Sequence, residues 1–233
     1  MSLFRKSITV AGVAAAVVAL ASAPAYAAAG GTVSTTAGID VIFTAARGAA
    51  NDVVVTHSGR TVTVDDRVAL KAGKGCSKVR GDATKVRCTV RADWDLFVAD
   101  LGDRSDRFVN KSAARLFVEG GTGNDRITGG SNGDYLAGNS GKDVISGRGG
   151  NDQVVGGSGA DTLYGGAGND GVGGGTGSDV LKGGAGDDSL GGYTGNDVLY
   201  GNSGADRLDG GANGGRGDTC VDSATTARAG CEH

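Results

Sequence analysis

A nine-residue pattern repeats ten times without insertion or deletion between residues 120 and 209, and the first copy reads GGTGNDRIT. Position one is glycine in every copy, and position four is glycine in every copy but the one that carries Asn132. Position six is always aspartate and position eight is always aliphatic. A flexible linker has no reason to keep this register. We therefore expect each copy to make the same turn and bury the same side chain, as in a solenoid.

The position-six aspartates are the candidate metal ligands of the repeat. They are Asp125, Asp134, Asp143, Asp152, Asp161, Asp170, Asp179, Asp188, Asp197 and Asp206. Glycine allows tight turns that bring backbone carbonyls together, and the aspartate adds carboxylate oxygens. Calcium accepts about 6 to 8 such oxygens in flexible geometry, whereas magnesium prefers a small octahedral site. The pattern predicts Ca²⁺ as the cofactor.

Positions seven to nine predict a strand too short to be stable alone, with the position-eight side chain inside the coil, so successive copies must stack. If two copies make one coil, alternate aspartates share a flank at about 4.8 Å spacing, one row beginning at Asp125 and the other at Asp134. Like charges at that spacing repel by about 1 kcal/mol per pair even in water. We therefore expect the repeats to fold only with a divalent cation.

The copies GGTGNDRIT, GGSGADTLY and GGTGSDVLK resemble the GGxGxDxUx nonapeptide of the RTX, or haemolysin-type, calcium-binding repeat family. The resemblance implies an all-β fold, a right-handed parallel β-helix or β-roll, with calcium held between loops of successive coils by aspartates and carbonyls. It implies about eight complete sites, with Asp106 opposite Asp125 as an additional candidate ligand. A leader, a cap and nonapeptides together resemble the small exported calcium-binding proteins of bacteria.

Some copies depart from the pattern and are expected to bind calcium less tightly or to pack less well. The departures are Asn132, Arg148 and Tyr193 at glycine positions, and Gly171, Gly173 and Gly191 in the predicted strands.

Residues 28–119 are predicted to form a β-rich cap that leads into irregular coils. Short β-branched runs at 40–44, 52–57 and 61–65 predict strands, the last two joined in a hairpin through Ser58-Gly59.

Three phenylalanines predict that the solenoid begins before the repeats. Phe97, Phe108 and Phe117 follow one another at steps close to nine, and Asp106 precedes Phe108 by the same two residues that separate Asp125 from Ile127. We expect these phenylalanines to occupy the core position of early coils.

Residues 1–27 have the order of a secretory signal peptide: basic Arg5-Lys6, an apolar run from Ile8 to Leu20, and the small-residue site Ala25-Tyr26-Ala27. We expect cleavage after Ala27, a secreted, extracellular protein, and no transmembrane segment in the mature chain.

Four cysteines form two local pairs, Cys76 with Cys88 and Cys220 with Cys231. An exported chain meets an oxidising environment, so two disulfides are expected, the second closing a C-terminal cap over residues 210–233.

Charge separates the two halves of the chain. Residues 28–119 carry 14 Lys and Arg against 11 Asp and Glu, whereas residues 120–209 carry 5 against 12. The largest regular surface is therefore acidic, which argues against a nucleic-acid partner.

An enzyme is not expected, and no catalytic residue is assigned. The HExxH motif is absent, and the serine next to His57 lacks a glycine-flanked motif. The alternative to a calcium-binding role alone is a carbohydrate- or cell-surface-binding (adhesion) module that uses the solenoid face, with Tyr164 and Tyr200 as strand aromatics.

Overall fold

The structure is a computed structural model that describes residues 31–36, 40–213, 217–221 and 227–232. Every regular element in these residues is a β-strand. The predicted leader, residues 1–27, lies outside the described residues.

The strands form two sheets that face each other across the core. The first sheet contains β1 (Thr32–Thr36), β2 (Asp40–Thr44), β5 (Lys71–Ala72), β8 (Leu96–Asp100), β10 (Arg115–Thr122), β12 (Tyr135–Ser140), β14 (Gln153–Ser158), β16 (Gly171–Gly177), β18 (Ser189–Gly195), β20 (Arg207–Asp209), β21 (Ala212–Asn213) and β23 (Ala227–Ala229). The second sheet contains β3 (Asp52–Ser58), β4 (Thr61–Asp65), β6 (Cys76–Val79), β7 (Asp82–Thr89), β9 (Arg107–Asn110), β11 (Arg126–Thr128), β13 (Val144–Gly149), β15 (Thr162–Ala167), β17 (Val180–Ala185), β19 (Val198–Ser203), β22 (Asp218–Val221) and β24 (Cys231–Glu232).

Along the repeats the chain crosses from one sheet to the other and back within every coil. Strands β10 to β18 of the first sheet pair in parallel with one another, and so do β11 to β19 of the second. Leu136 pairs with Val154, and Leu163 with Leu181, so two nine-residue copies make one coil. The predicted all-β parallel solenoid is confirmed.

Most repeat strands are longer than the three residues predicted from positions seven to nine. β12, for example, continues through position three of the next copy. Glycine at position one permits this, because a Cβ atom on Gly138 would lie 2.1 Å from Oδ2 of Asp143. The strand can therefore keep pairing while it passes directly over the carboxylate.

The core of the repeat region is a file of aliphatic side chains from each sheet. The position-eight residues are all buried: Ile127, Leu136, Ile145, Val154, Leu163, Val172, Leu181, Leu190, Leu199 and Leu208. Toward the N-terminal end the core is filled by larger side chains. Phe43, Phe97 and Phe108 are fully buried, and the ring centroids of Phe97 and Phe108 are 5.8 Å apart.

The prediction for Phe117 is wrong. Its half-buried ring stacks on that of Tyr135 at 4.7 Å, while its neighbours Leu116 and Val118 are buried in the core. Side chains alternate across a strand, so burying both aliphatic neighbours turns the residue between them outward. The early start of the solenoid is nevertheless confirmed, because β8 and β9 pair in parallel with β10 and β11.

The predicted cap strands are confirmed as β2, β3 and β4, with Ser58 and Thr61 paired across the hairpin. β2 and β3 also pair in parallel with β8 and β9, so they form a coil of the solenoid themselves. Antiparallel strands β1, β4, β6 and β7 then lie beyond that coil. They cover the backbone groups that a parallel stack would otherwise leave unpaired at its end.

Both predicted disulfides are confirmed. Cys76 and Cys88 join β6 to β7, and Cys220 and Cys231 join β22 to β24. Cys220 pairs in register with Leu199, so its half of the disulfide continues the file of core residues in the second sheet. Each bond ties strands at one end of the solenoid.

Changing Gly177 to alanine should destabilise the calcium-loaded protein by about 3 kcal/mol or more. Gly177 has a φ of 144°, and a Cβ atom there would lie 1.6 Å from the carbonyl oxygen of Gly159 on the preceding coil. Gly171→Ala is the matched control, since its Cβ would meet nothing closer than a carbonyl at 4.0 Å. Denaturant unfolding in excess calcium measures both variants, and equal stability would refute the close-packing argument.

Candidate metal-binding site

The position-six aspartates form two rows, one at each turn of the flattened coil. The first row lies where the chain passes from the first sheet to the second, and contains Asp125, Asp143, Asp161, Asp179 and Asp197. The second row lies at the opposite turn and contains Asp134, Asp152, Asp170, Asp188 and Asp206. The predicted division of the ten aspartates between two flanks is confirmed.

Each row is held by hydrogen bonds from backbone to carboxylate. The N–H of Asp125 donates to Oδ1 of Asp143 at 2.7 Å, and the N–H of Asp143 donates to Oδ1 of Asp161 at 2.7 Å. In the second row the N–H of Asp134 donates to Oδ1 of Asp152 at 2.8 Å. One oxygen of each carboxylate thus fastens a coil to the one before it.

The second carboxylate oxygen, Oδ2, is left without a partner in nearly every copy. It is buried and makes no hydrogen bond within the described chain in Asp106, Asp125, Asp143, Asp152, Asp161, Asp170, Asp179, Asp188 and Asp197. Asp134 differs, because its Oδ2 accepts a hydrogen bond from the N–H of Gly130 at 2.8 Å. A buried oxygen that carries charge and lacks a partner is costly, so it needs a proton or a cation.

Glycines pack the turn backbone around these oxygens. A Cβ atom on Gly156, at position one, would lie 2.4 Å from Oδ2 of Asp161 and 2.6 Å from the carbonyl oxygen of Gly174. At position four, a Cβ on Gly159 would lie 1.7 Å from the carbonyl oxygen of Gly141. Any larger residue would displace either the carboxylate or the neighbouring coil.

Burial disfavours the charged form of the row aspartates. It raises the pKa of Asp125, Asp143, Asp161 and Asp179 from 3.8 to about 6, and the charge of the preceding row member adds to the effect. For Asp152, burial and the neighbouring charges of Asp134 and Asp170 raise the pKa to about 7. Among the described residues, none of these five carboxylates takes part in an ion pair.

The donor set fits a hard cation that accepts oxygen ligands. Most row aspartates offer a buried carboxylate oxygen that no hydrogen bond within the described residues satisfies. Within the described residues, no three Asp, Glu, His or Cys side chains converge as a metal cluster. A cation here would therefore take one or two carboxylates and complete its shell with turn carbonyls, which suits calcium and not zinc.

The first row extends beyond the repeats at both ends. Asp106 belongs to it, as predicted, because its N–H donates to Oδ1 of Asp125 at 2.8 Å. Asp218 also belongs to it, since Oδ1 of Asp218 accepts the N–H of Asp197 at 2.8 Å. The sequence prediction omitted Asp218. This residue precedes Cys220 by two positions, the same spacing that separates the aspartate from the aliphatic residue in each repeat copy.

Asn51 and Asp66 are two further residues that the sequence reasoning missed. Asn51 donates through Nδ2 to Oδ1 of Asp106 at 3.0 Å, and Asp66 accepts the N–H of Asp52 at 2.7 Å. Asn51 Oδ1 and Asp66 Oδ2 are buried and unpaired, like the row oxygens. Neither residue belongs to a repeat copy, so periodicity could not reveal them.

The remaining candidate residues do not form a catalytic arrangement. His57 packs its ring against Trp94 at 4.9 Å, and Asp93 pairs with Arg91 at 3.0 Å on the surface. Tyr164 and Tyr200 lie on the second sheet, on either side of the Lys182 ammonium at 5.4 and 5.6 Å. No helix among the described residues has the length and hydropathy needed to cross a bilayer.

Comparison with known families decides the identity of this arrangement. The RTX calcium-binding nonapeptide repeat matches in overlapping segments at 117–145, 137–172, 146–181, 174–194 and 183–218. Residues 117–218 carry RTX-type calcium-binding nonapeptide repeats. The match ends at Asp218, the last member of the first row.

No curated protein and no solved structure matches the chain significantly. RTX β-rolls are in general calcium-binding structures and not catalytic ones.

Acid should stabilise the calcium-free RTX repeats. The folded-state pKa of the row aspartates is raised to about 6 from a usual 3.8, so the protonated carboxyl favours folding. That contribution is complete below the unfolded pKa and is lost as the pH rises through about 6. In metal-free buffer the β-sheet circular dichroism signal should therefore increase as the pH is lowered from 7.5 to 4.5.

The same titration in excess calcium is the control. There the dependence should reverse, because protons compete with calcium for the carboxylates. A metal-free signal that stays constant, or that grows with rising pH, would contradict the assignment of these buried carboxylates as the destabilising groups.

Proposed function

We propose that this protein is an exported calcium-binding protein whose β-roll folds when calcium binds in its glycine-aspartate turns. The observation that carries the proposal is a set of buried Oδ2 atoms that have no hydrogen bond or ion pair among the described residues, those of Asp125, Asp143, Asp152, Asp161, Asp170, Asp179, Asp188 and Asp197. Protein groups do not neutralise this charge, so an ion from solution must do so at neutral pH.

The calcium ligands in this proposal are the aspartates of both rows, with Asp106 and Asp218 extending the first. Carbonyl oxygens of the glycine turns complete the coordination. When bound, calcium supplies positive charge and oxygen coordination between neighbouring coils. The chain's own contribution is to hold each carboxylate through its Oδ1 hydrogen bond and to bring the turn backbones into contact.

Ion binding and folding are coupled because little else stabilises the repeats. Each nine-residue copy buries one aliphatic side chain and orders several glycines, whose conformational entropy cost is large. Repulsion along each row adds to that cost. Calcium binding free energy then becomes folding free energy, as in other metal-dependent modules.

Export is supported by the leader pattern of residues 1–27 and by the two disulfides. Extracellular calcium modules typically bind at about 10⁻⁴ to 10⁻³ M. An affinity in that range would keep the repeats unfolded at cytoplasmic calcium levels and fold them outside the cell. The proposed division of the chain is a leader (1–27), a cap with early coils (28–119), the ten repeats (120–209) and a disulfide-closed end (210–233).

Calcium titration of the metal-free protein at pH 7.5 should produce β-structure cooperatively, with a midpoint between about 0.1 and 1 mM. Circular dichroism follows folding, and titration calorimetry counts the ions, of which about eight are expected. A complete β-sheet spectrum in excess chelator would refute the coupling. The same titration with magnesium is the control for ion selectivity.

Asp188→Asn should raise the calcium midpoint about threefold or more, because the amide keeps the Oδ1 acceptor but removes the charge and one ligand oxygen. Asp187→Asn is the matched control. Asp187 is exposed at position five, where other copies carry Asn169 and Asn151, and its Oδ1 only accepts the N–H of Ala205. Equal midpoints for the two variants would show that row carboxylates are not the ligands.

A second candidate function is an extracellular carbohydrate- or cell-surface-binding (adhesion) module that uses an outer face of the calcium-loaded solenoid. The observation that favours it is an exposed aromatic side chain, Tyr193, on the turn edge of the first sheet, with 62% of its surface accessible. Tyrosine presents an apolar ring together with a polar hydroxyl, a combination that suits contact with a hydrated partner.

A further inference from the structure

Four residues that depart from the repeat pattern, Gly171, Gly173, Gly191 and Tyr193, lie together in the structure. In the first sheet Gly173 pairs with Gly191, Gly171 pairs with Ser189, and Gly175 pairs with Tyr193. Three outward-facing strand positions on β16 and β18 therefore carry no side chain, and a tyrosine stands beside them. Sites that break an otherwise regular pattern together are candidates for function.

The missing side chains leave a hollow on the outer face of the first sheet. We name it the Tyr193 groove: its floor is Gly171, Gly173, Ser189 and Gly191, and its walls are Gln153, Val155, Arg207, Asp209 and Tyr193. Its volume is about 340 Å³. The walls lie on β14 and β20, three strand spacings apart, so the groove is about 14 Å long.

Tyr193 lies over the glycine floor. A Cβ atom on Gly173 would be 3.2 Å from Cε2 of Tyr193, and one on Gly191 would be 3.3 Å from the same atom. The ring can occupy this place only because both residues are glycine. Tyr193 itself has a φ of 72°, a conformation unusual for an aromatic residue, at a position that is glycine in most copies. This φ is a property of repeat position two, because Asn139, Arg148 and Asn202 have values of 72 to 78° at the same position.

The polar walls of the groove offer both donors and acceptors. Gln153 contributes an amide, Ser189 a hydroxyl, Arg207 a guanidinium and Asp209 a carboxylate. In the described part of the chain the Arg207 guanidinium makes no ion pair, and Asp209 accepts only the N–H of Gly211 at 3.2 Å. One positive and one negative group leave the groove without net charge, which favours a neutral ligand.

The shape of the groove excludes several other ligands. The backbones of β16 and β18 are paired on both sides, so a peptide cannot add as a further strand. The groove is open and polar-walled, unlike the enclosed apolar pockets that hold drug-like molecules. An open trough with one aromatic ring and a rim of planar polar groups suits a sugar ring, which has an apolar C–H face and a rim of hydroxyls.

We propose that the Tyr193 groove binds pyranose rings of a neutral extracellular polysaccharide. The ring of Tyr193 contacts the C–H face of the sugar, and Gln153, Ser189, Arg207 and Asp209 hydrogen-bond its hydroxyls. The inference rests on the proposed function, because the groove exists only when the coils from β14 to β20 are folded by calcium. It places the site on the first sheet, and not at Tyr164 and Tyr200 on the second.

The test is affinity electrophoresis of the full chain in 5 mM calcium through gels that contain a mixed-linkage β-glucan, dextran, galactomannan or polygalacturonate. We expect retardation by at least one of the three neutral polymers. Tyr193→Gly, which restores the commonest residue at that position, should weaken this binding at least tenfold. Gly171→Gln should do the same by filling the floor, since a Cβ there meets nothing closer than 4.0 Å.

Two controls separate this inference from the proposed function. Tyr200→Thr, on the second sheet, should leave the retardation unchanged, and circular dichroism should give all variants the calcium midpoint of the parent protein. A chain that fails to gain β-structure with calcium overturns the proposed function. The groove assignment is overturned if the folded chain is retarded by no neutral polymer or only by polygalacturonate. It is also overturned if Tyr193→Gly and Gly171→Gln bind the polymer as tightly as the parent protein does.

Discussion

The structure depends on a hydrogen bond from the backbone N–H of one aspartate to the carboxylate of the aspartate one coil later. This bond repeats along both turns of the solenoid, at 2.7 to 2.9 Å. It satisfies a backbone donor at the turn, where strand pairing ends, and it buries a carboxylate in the process. In most copies the partner oxygen of that carboxylate has no hydrogen-bond donor among the described residues, so the bond that fastens the coils also creates the need for a cation.

Much of the remaining composition follows from this arrangement. Position-one glycines allow the strand to pass over the carboxylate, and position-four glycines allow neighbouring turns to approach to van der Waals contact. So much glycine leaves one buried aliphatic side chain per copy, a core that is thin compared with the phenylalanine-filled N-terminal coils. The two ends are closed differently, by antiparallel strands and a disulfide at one end and by the parallel strands β23 and β24 and a disulfide at the other.

Periodicity was sufficient to predict the parallel stack, the two rows and the buried position-eight residues, because every copy must satisfy the same packing. It failed where the chain leaves the pattern. Phe117 faces outward because its two aliphatic neighbours are buried, a choice that spacing alone does not reveal. Asn51 contacts Asp106 of the first row, and Asp66 accepts the N–H of Asp52 at the start of β3, so their positions depend on the pairing of β3 with β9. Gly171, Gly173, Gly191 and Tyr193 lie together because residues two copies apart pair side by side in the first sheet.

Amide hydrogen exchange, resolved by residue, tests the central claim most directly, because the N–H groups of the row aspartates are the donors on which the stack depends. With calcium, the N–H groups of Asp125, Asp143 and Asp161 should be strongly protected. In metal-free buffer at pH 7.5 they should exchange nearly as fast as in an unfolded chain, while the disulfide-linked strands β6 and β7 keep their protection. Equal protection of the row amides with and without calcium would contradict the account.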